Sequence, residues 1–114
     1  LHEAAIARRI LDTIVEGASR HGARRITRLR MKVGQVSGVV PEALAFALEA
    51  AVQGTPAEGL VVDIETVPLA VRCLECGARG RTEEHVLSCP SCGAHRTEIV
   101  QGRELRLIDM DIDD

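Results

Sequence analysis

Cys73-Leu74-Glu75-Cys76 and Cys89-Pro90-Ser91-Cys92 contain every cysteine of the 114-residue chain. Two thiolates three residues apart fit on one tight turn and point at a common centre. Two such turns facing each other set four sulfurs at the corners of a tetrahedron, which zinc prefers and structural zinc sites supply. Gly77 and Gly93 each follow the second cysteine of a pair. Glycine there lets the chain turn with positive φ and aim backbone N–H groups back at the sulfur. Two disulfides fit a secreted chain better, and nothing in the sequence marks secretion. An iron–sulfur centre and a redox dithiol use the same four residues and stay open at this stage. Four cysteine ligands leave no position for a bound water, so the pattern speaks against zinc hydrolysis.

Around the cysteines, residues 70–101 carry Arg72, Arg79, Arg81 and Arg96 against Glu75, Glu83, Glu84 and Glu98, so side-chain charge cancels. Four thiolates on one divalent ion then leave an excess of negative charge, unlike the basic surface of a nucleic-acid-binding ribbon. The segment is too small for an apolar core of its own, and a bound metal takes that role. Among the histidines, His2 stands where an amine, backbone nitrogens and an imidazole converge within a few bonds, a planar nitrogen set that suits Ni(II) or Cu(II). Taken by itself it reads first as an exposed end residue or a helix cap. His95 follows Cys92 by three residues, at the rim of the metal knuckle, where it either reaches a second metal or is solvated. His85, between the cysteine pairs, and His21 read as surface residues. No serine–histidine–acid order, phosphate-cradling glycine loop or carboxylate pair supports an enzyme.

These residues need a scaffold. Residues 3–21 form an amphipathic helix, with Ile6, Ile10, Ile14 and Ala18 recurring every fourth position and Leu11 and Val15 widening the stripe. Glu3 sits near the positive end of its dipole, and Gly22 is a stop signal. Residues 24–33 alternate as a strand, with Thr27, Leu29, Met31 and Val33 toward a core and Arg28, Arg30 and Lys32 outward. A glycine-punctuated loop leads to Pro41 and a second helix over residues 41–53. That helix is nearly free of polar residues and is expected to pack on the sheet through Leu44, Phe46, Ala47, Leu48, Ala51 and Val52. Residues 60–67 form a second strand with Asp63 and Glu65 outward. After residues 70–101 a last strand brings Ile108, Met110 and Ile112 inward, with a slip after Leu107 that suggests a bulge. The outer faces of the second and last strands are acidic and that of the first is basic, which places the first beside at least one acidic strand, or between both.

The expected fold is therefore α+β: two helices packed on a three-stranded β-sheet, with a four-cysteine zinc-ribbon-like subdomain inserted before the last strand. Residues 1–69 plus 102–114 form one unit and 70–101 the other. No internal repeats or low-complexity tracts appear. Apart from Phe46 there is no aromatic residue, and the net charge is −3, so neither base stacking nor a polyanion partner is favoured. No apolar run is long enough to span a bilayer and no signal-peptide pattern is present, so the cytoplasm is the expected compartment.

Four motifs in order carry a family resemblance over essentially the whole chain. His2-Glu3 matches a Met-His-Glu opening. The stretch Val33-Gly34-Gln35-Val36-Ser37-Gly38-Val39-Val40-Pro41-Glu42-Ala43-Leu44-Ala45-Phe46 matches a Gly-x-x-x-x-Val-x-Pro-Glu-x-Leu-x-Phe segment. The four cysteines fit a zinc site, and Gly102-Arg103-Glu104-Leu105 matches a closing Gly-x-Glu-Leu strand. The chain resembles the HypA/HybF family of nickel metallochaperones in [NiFe]-hydrogenase maturation. That resemblance reverses the first reading of His2. It implies a carrier and not an enzyme, which takes Ni(II) as cargo at the amino terminus and passes it toward the hydrogenase large subunit. It implies work with a HypB-like GTPase and, in some organisms, service to urease through its accessory proteins, as a monomer or weak homodimer without nucleic acid or membrane. Nickel ligands would be the His2 imidazole and backbone nitrogens of His2 and Glu3, with the Glu3 side chain shaping the site. Cys73, Cys76, Cys89 and Cys92 would hold structural Zn(II), and His95 lies in the region linked to a further nickel ligand in some members. The family opens with Met where this sequence has Leu1. With Leu1 in that place the donor register is kept, whereas a preceding Met would move the amine one residue further from His2. The competing reading is a zinc-ribbon interaction or nucleic-acid-binding adaptor with no nickel role, which predicts salt-sensitive binding and an idle His2.

Overall fold

The computed structural model describes residues 2–82 and 87–114. Leu1, residues 83–86 and the His2 side chain lie outside the described residues. The elements in order are α1 (His2–Arg20), β1 (Arg25–Gly34), α2 (Pro41–Ala51), β2 (Val61–Val67), β3 (Ala70–Cys73), β4 (Arg79–Arg81), β5 (Thr97–Gln101) and β6 (Leu105–Asp113). They form one sheet of order β2-β1-β6 and a second of order β4-β3-β5. The α+β layer with an inserted cysteine ribbon is the expected one.

The apolar stripe of α1 is buried at Ala7, Ile10, Leu11, Ile14 and Ala18, against β1 residues Ile26, Leu29, Met31 and Val33. The helix ends where Gly22 takes φ 72°. Ala23 N–H then reaches Ala18 O at 3.0 Å and Gly22 N–H reaches Ser19 O at 3.0 Å, the paired bonds of a Schellman cap. His21 joins this cap, its Nδ1 at 2.9 Å from Gly17 O. The helix α2 buries Leu44 and Leu48. Phe46, expected in that face, is 73% exposed. It lies two residues from both leucines, a rotation of about 200° that turns it to solvent.

The charge pairs agree with the sheet order. The first strand is central, parallel to β2 and antiparallel to β6. Arg28 pairs with Asp63, and Arg30 holds Asp109 at 2.8 Å and Asp111 at 3.0 Å. The β1–β6 register shifts twice, between Ile26 and Arg28 and between Arg30 and Met31. The second shift is the bulge expected after Leu107, and it leaves Ile108 45% exposed. The first leaves Thr27 unpaired, so Thr27 is exposed and Ile26 fills its expected core position. Ile112, also expected inward, is 36% exposed near the end of this edge strand.

Because β2 runs parallel to β1 and β6 antiparallel, the end of β2 and the start of β6 both flank Gly34. The chain therefore leaves for the ribbon and returns at one place. Gly34 N–H donates to Glu104 O at 2.6 Å, Gln35 N–H to Val67 O at 2.8 Å and Val36 N–H to Gly102 O at 2.8 Å. The Gln35 Oε1 accepts from Leu69 N–H at 2.8 Å, and Glu104 Oε1 from Gly102 N–H at 2.7 Å. A Cβ on Gly34 would stand 2.1 Å from Gly102 O, and one on Gly102 would stand 2.8 Å from Leu69 Cα. Glycine is required at Gly34 for space, since two backbones touch there.

Gly34→Ala should cost about 3 kcal/mol, at the top of the range for overpacking because the obstacle is backbone, read as a lowered urea midpoint. The Arg30 guanidinium holds the Asp111 carboxyl below its ordinary value. This ion-pair stabilisation is thus present above the unfolded pKa and lost as pH falls through the folded one. The stability difference between the chain and Asp111→Asn should accordingly shrink from about pH 5 to about pH 2 in urea melts.

Candidate metal centre

Both cysteine pairs are built the same way. In the first, Cys73 N–H donates to Ala78 O at 2.9 Å and Gly77 N–H to Cys73 O at 3.0 Å; in the second, Cys89 N–H donates to Ala94 O at 2.8 Å and Gly93 N–H to Cys89 O at 2.9 Å. Cys73 Sγ accepts from the N–H groups of Glu75 and Cys76 at 3.4 and 3.3 Å, and Cys89 Sγ from those of Ser91 and Cys92 at 3.3 and 3.4 Å. Gly77 and Gly93 close the turns at φ 77° and 79°. The hexapeptide Cys-x-x-Cys-Gly-Ala thus occurs twice, at 73–78 and 89–94. This corrects the expectation of no internal repeat: a six-residue repeat stands in the sequence, and its shared bonding makes it a structural one.

The two knuckles face each other. Cys73 Sγ lies 3.7 Å from Cys92 Sγ, and Cys76 Sγ lies 3.7 Å from Cys89 Sγ. A tetrahedron with sulfurs about 2.3 Å from its centre has edges of about 3.75 Å. These two separations are opposite edges of such a figure, and all four sulfurs lie within 4.8 Å of one another. No disulfide joins them. The site fits one four-coordinate metal ion. Cys73 and Cys89 are buried while Cys76 and Cys92 are exposed, so the centre is anchored on one side and open to solvent on the other.

Local fields split the four thiols. The Cys92 N–H, followed by that of Ser91, draws the Cys89 thiol down to about 6 against the cost of its burial. Cys73 is lowered by the N–H groups of Cys76 and then Glu75. The Cys92 thiol is pushed up to about 12: the Ala94 N–H favours its thiolate, but the neighbouring sulfurs of Cys89, Cys73 and Cys76 outweigh it. Cys76 is raised in the same way, with Ala78 N–H opposed by Cys73 and Cys89. Two sulfurs are thus shifted toward the thiolate form, and a cation is needed to ionise the raised pair.

Of the other expected site residues, Glu3 lies in the first turn of α1, where its Oε2 accepts from Val40 N–H, the residue before α2, at 3.3 Å. Its own N–H and that of Val40 hold its carboxyl below the ordinary value. This ties the start of α1 to the start of α2, which lacks a side-chain cap of its own. His2 opens α1. His95 is exposed beside the second knuckle and does not join the metal-capable cluster, which among the described residues consists of the four cysteines. His85 falls outside the described residues. Gln35 and Glu104, which position the ribbon, were not singled out by chemistry, although both lie in the family motifs.

The chain matches the family model described as "Hydrogenase/urease nickel incorporation, metallochaperone, hypA" over residues 1–112. A hydrogenase maturation factor HypA of Syntrophus aciditrophicus is 37% identical over 114 residues, covering 99% of this chain and 100% of that protein. One of Deinococcus radiodurans is 42% identical over 107 residues, covering 94% and 89%. The solution structure of the Ni metallochaperone HypA from Helicobacter pylori superimposes with TM-score 0.68 at 19% identity, covering 97% of each chain. A second solution structure of a HypA protein gives 0.73 at 20% identity, covering 97% and 95%. At these identities the structures establish the fold, and the sequence matches establish the kinship.

At about pH 7, titration with Zn(II) should release between about two and about three protons per chain, since Cys89 is already largely ionised while Cys76 and Cys92 are not. The unfolded chain, with ordinary thiols, should release close to four. Calorimetry in buffers of different ionisation heat measures this directly, and a release of four from the folded chain would contradict the split.

Proposed function

The chain belongs to the HypA family, and on that premise we propose that it is a nickel carrier, taking Ni(II) at its amino-terminal turn and delivering it for [NiFe]-hydrogenase maturation. The family is one of maturation factors and metallochaperones, not enzymes. The observation that carries the reading is the family match over residues 1–112 with His2-Glu3 at its opening. In this reading the His2 imidazole and the backbone nitrogens of His2 and Glu3 form a planar donor set. The Glu3 carboxylate, engaged by Val40 N–H, steadies the turn. A set at a helix end opens at little cost, as a carrier that must release its cargo requires. His95 would add a further ligand from the ribbon.

Cys73, Cys76, Cys89 and Cys92 hold structural Zn(II), supported by the 3.7 Å tetrahedral edges. Zinc would supply the ribbon's folding energy and take no part in transfer. Residues 1–69 with 102–114 act as the nickel-binding domain and 70–101 as the zinc-binding one. The receiving partners are a HypB-like GTPase and the hydrogenase large subunit, with urease accessory proteins as a second destination. The compartment is the cytoplasm; no helix among the described residues is long and apolar enough to cross a membrane.

The test is a Ni(II) titration of zinc-loaded, untagged protein whose amino terminus is verified by mass spectrometry. One nickel per chain should bind with a planar nitrogen spectrum, and His2→Ala should lose it while zinc is retained. Affinity should fall from about pH 8 to about pH 5.5 as the imidazole protonates. Equal nickel binding by both proteins, or binding by neither, would exclude the His2 site.

A further inference from the structure

The helices leave part of the sheet uncovered. Two cavities of about 200 and about 220 Å³ lie between α1 and the inner side of β6. On α1 the first is lined by Ile6, Arg9, Ile10 and Thr13, and the second by Thr13, Ile14, Gly17 and Arg20. They share Thr13 and Leu107 and are offset by seven residues along the helix, about 10.5 Å. Gly17 opens the second socket, since a Cβ there would stand 3.2 Å from Met110 Cε. On the strand side Leu105 and Ile108 are 40% and 45% exposed.

The rim has one sign of available charge. Arg9 and Arg20 are exposed, and neither forms an ion pair among the described residues. Asp109, the acidic residue at the rim, is bound to Arg30. The two arginines are eleven residues apart, about 16.5 Å and close to three whole turns, so they mark the same side of α1.

We propose that this groove docks an amphipathic helix of a partner protein, with large apolar side chains at positions i and i+7 entering the two sockets and carboxylates facing Arg9 and Arg20. Sockets one heptad apart are the spacing a helix laid in a groove requires, and the helix would complete the layer over β6. Helix α2 of a second copy does not supply this i, i+7 pair. Its outward α2 residue Phe46 has Gln53 seven positions on and Val39, outside the helix, seven before. The groove is separate from the nickel and zinc ligands, so the proposal stands or falls apart from the carrier reading.

The probe is a pair of synthetic helical peptides of about five turns, each with two leucines seven residues apart, flanked by Glu in one and Lys in the other. The zinc-loaded chain should bind the Glu peptide at least about tenfold more tightly, with NMR shifts at Ile6, Ile10, Gly17 and Leu107. Arg9→Glu with Arg20→Glu should reverse the preference, and gaining the Lys peptide shows that the variant is folded. Equal binding of both peptides, binding of neither, or shifts confined to the Phe46 face would overturn the proposal. So would a dimer of the free chain that the double variant dissolves, which would make a second copy the occupant.

Discussion

Everything beyond the first sheet hangs on the end of β1. A strand with one parallel and one antiparallel neighbour has, at a single end, both the exit of one and the entry of the other. The cysteine ribbon is inserted there, so its two chain crossings lie side by side, and residues 34–36 run between them. The backbone groups that the strands would leave open are bonded across the neck, with Gln35 and Glu104 supplying the side-chain acceptors. The contact of Gly34 with Gly102 is what lets these bonds reach. At its far end the same loop meets the first turn of α1 through Val40 and Glu3. One short segment therefore touches the ribbon, both helices and the central strand.

The two sheets are stabilised by different physics. The first buries large apolar side chains from α1, β1 and α2, each worth about 1.5–3 kcal/mol when removed from water. Short β3, β4 and β5 offer few such groups: Val71, Ala70 and the two inner cysteines are buried, while Leu74, Leu87 and Val100 remain exposed. Where that core is missing, a duplicated turn gathers four sulfurs into a cluster able to hold a metal ion. Backbone N–H groups have already shifted two of the sulfurs toward the charged form, which lowers the proton cost of assembling the site.

The molecule's surfaces follow from the same shortage of elements. On its open face the first sheet is covered by paired charges, Arg28 and Arg30 with Asp63, Asp109 and Asp111. On the other face two helices serve three strands, and the edge beside β6 is left apolar. Phe46 stands out on α2 for a separate reason, the rotation that carries it away from Leu44 and Leu48.

Much of this was legible in the residues alone. Helical and alternating periodicity located both helices and the strands of the first sheet, because those periods reflect which side chains leave water. Opposite charge on the strands placed β1 beside at least one of β2 and β6, and Cys-x-x-Cys spacing marked the metal-capable residues, since local turn geometry brings the two sulfurs of each pair together. Tertiary structure decided what depends on contacts distant in sequence. The bulge at Thr27 put Ile26 in its core position; the neck gave Gln35, Glu104 and Gly34 their roles; the facing of the two knuckles brought sulfurs of different turns to 3.7 Å. None of these has a local signature, because each arises where two backbones far apart in the chain are forced to share space, charge or hydrogen bonds.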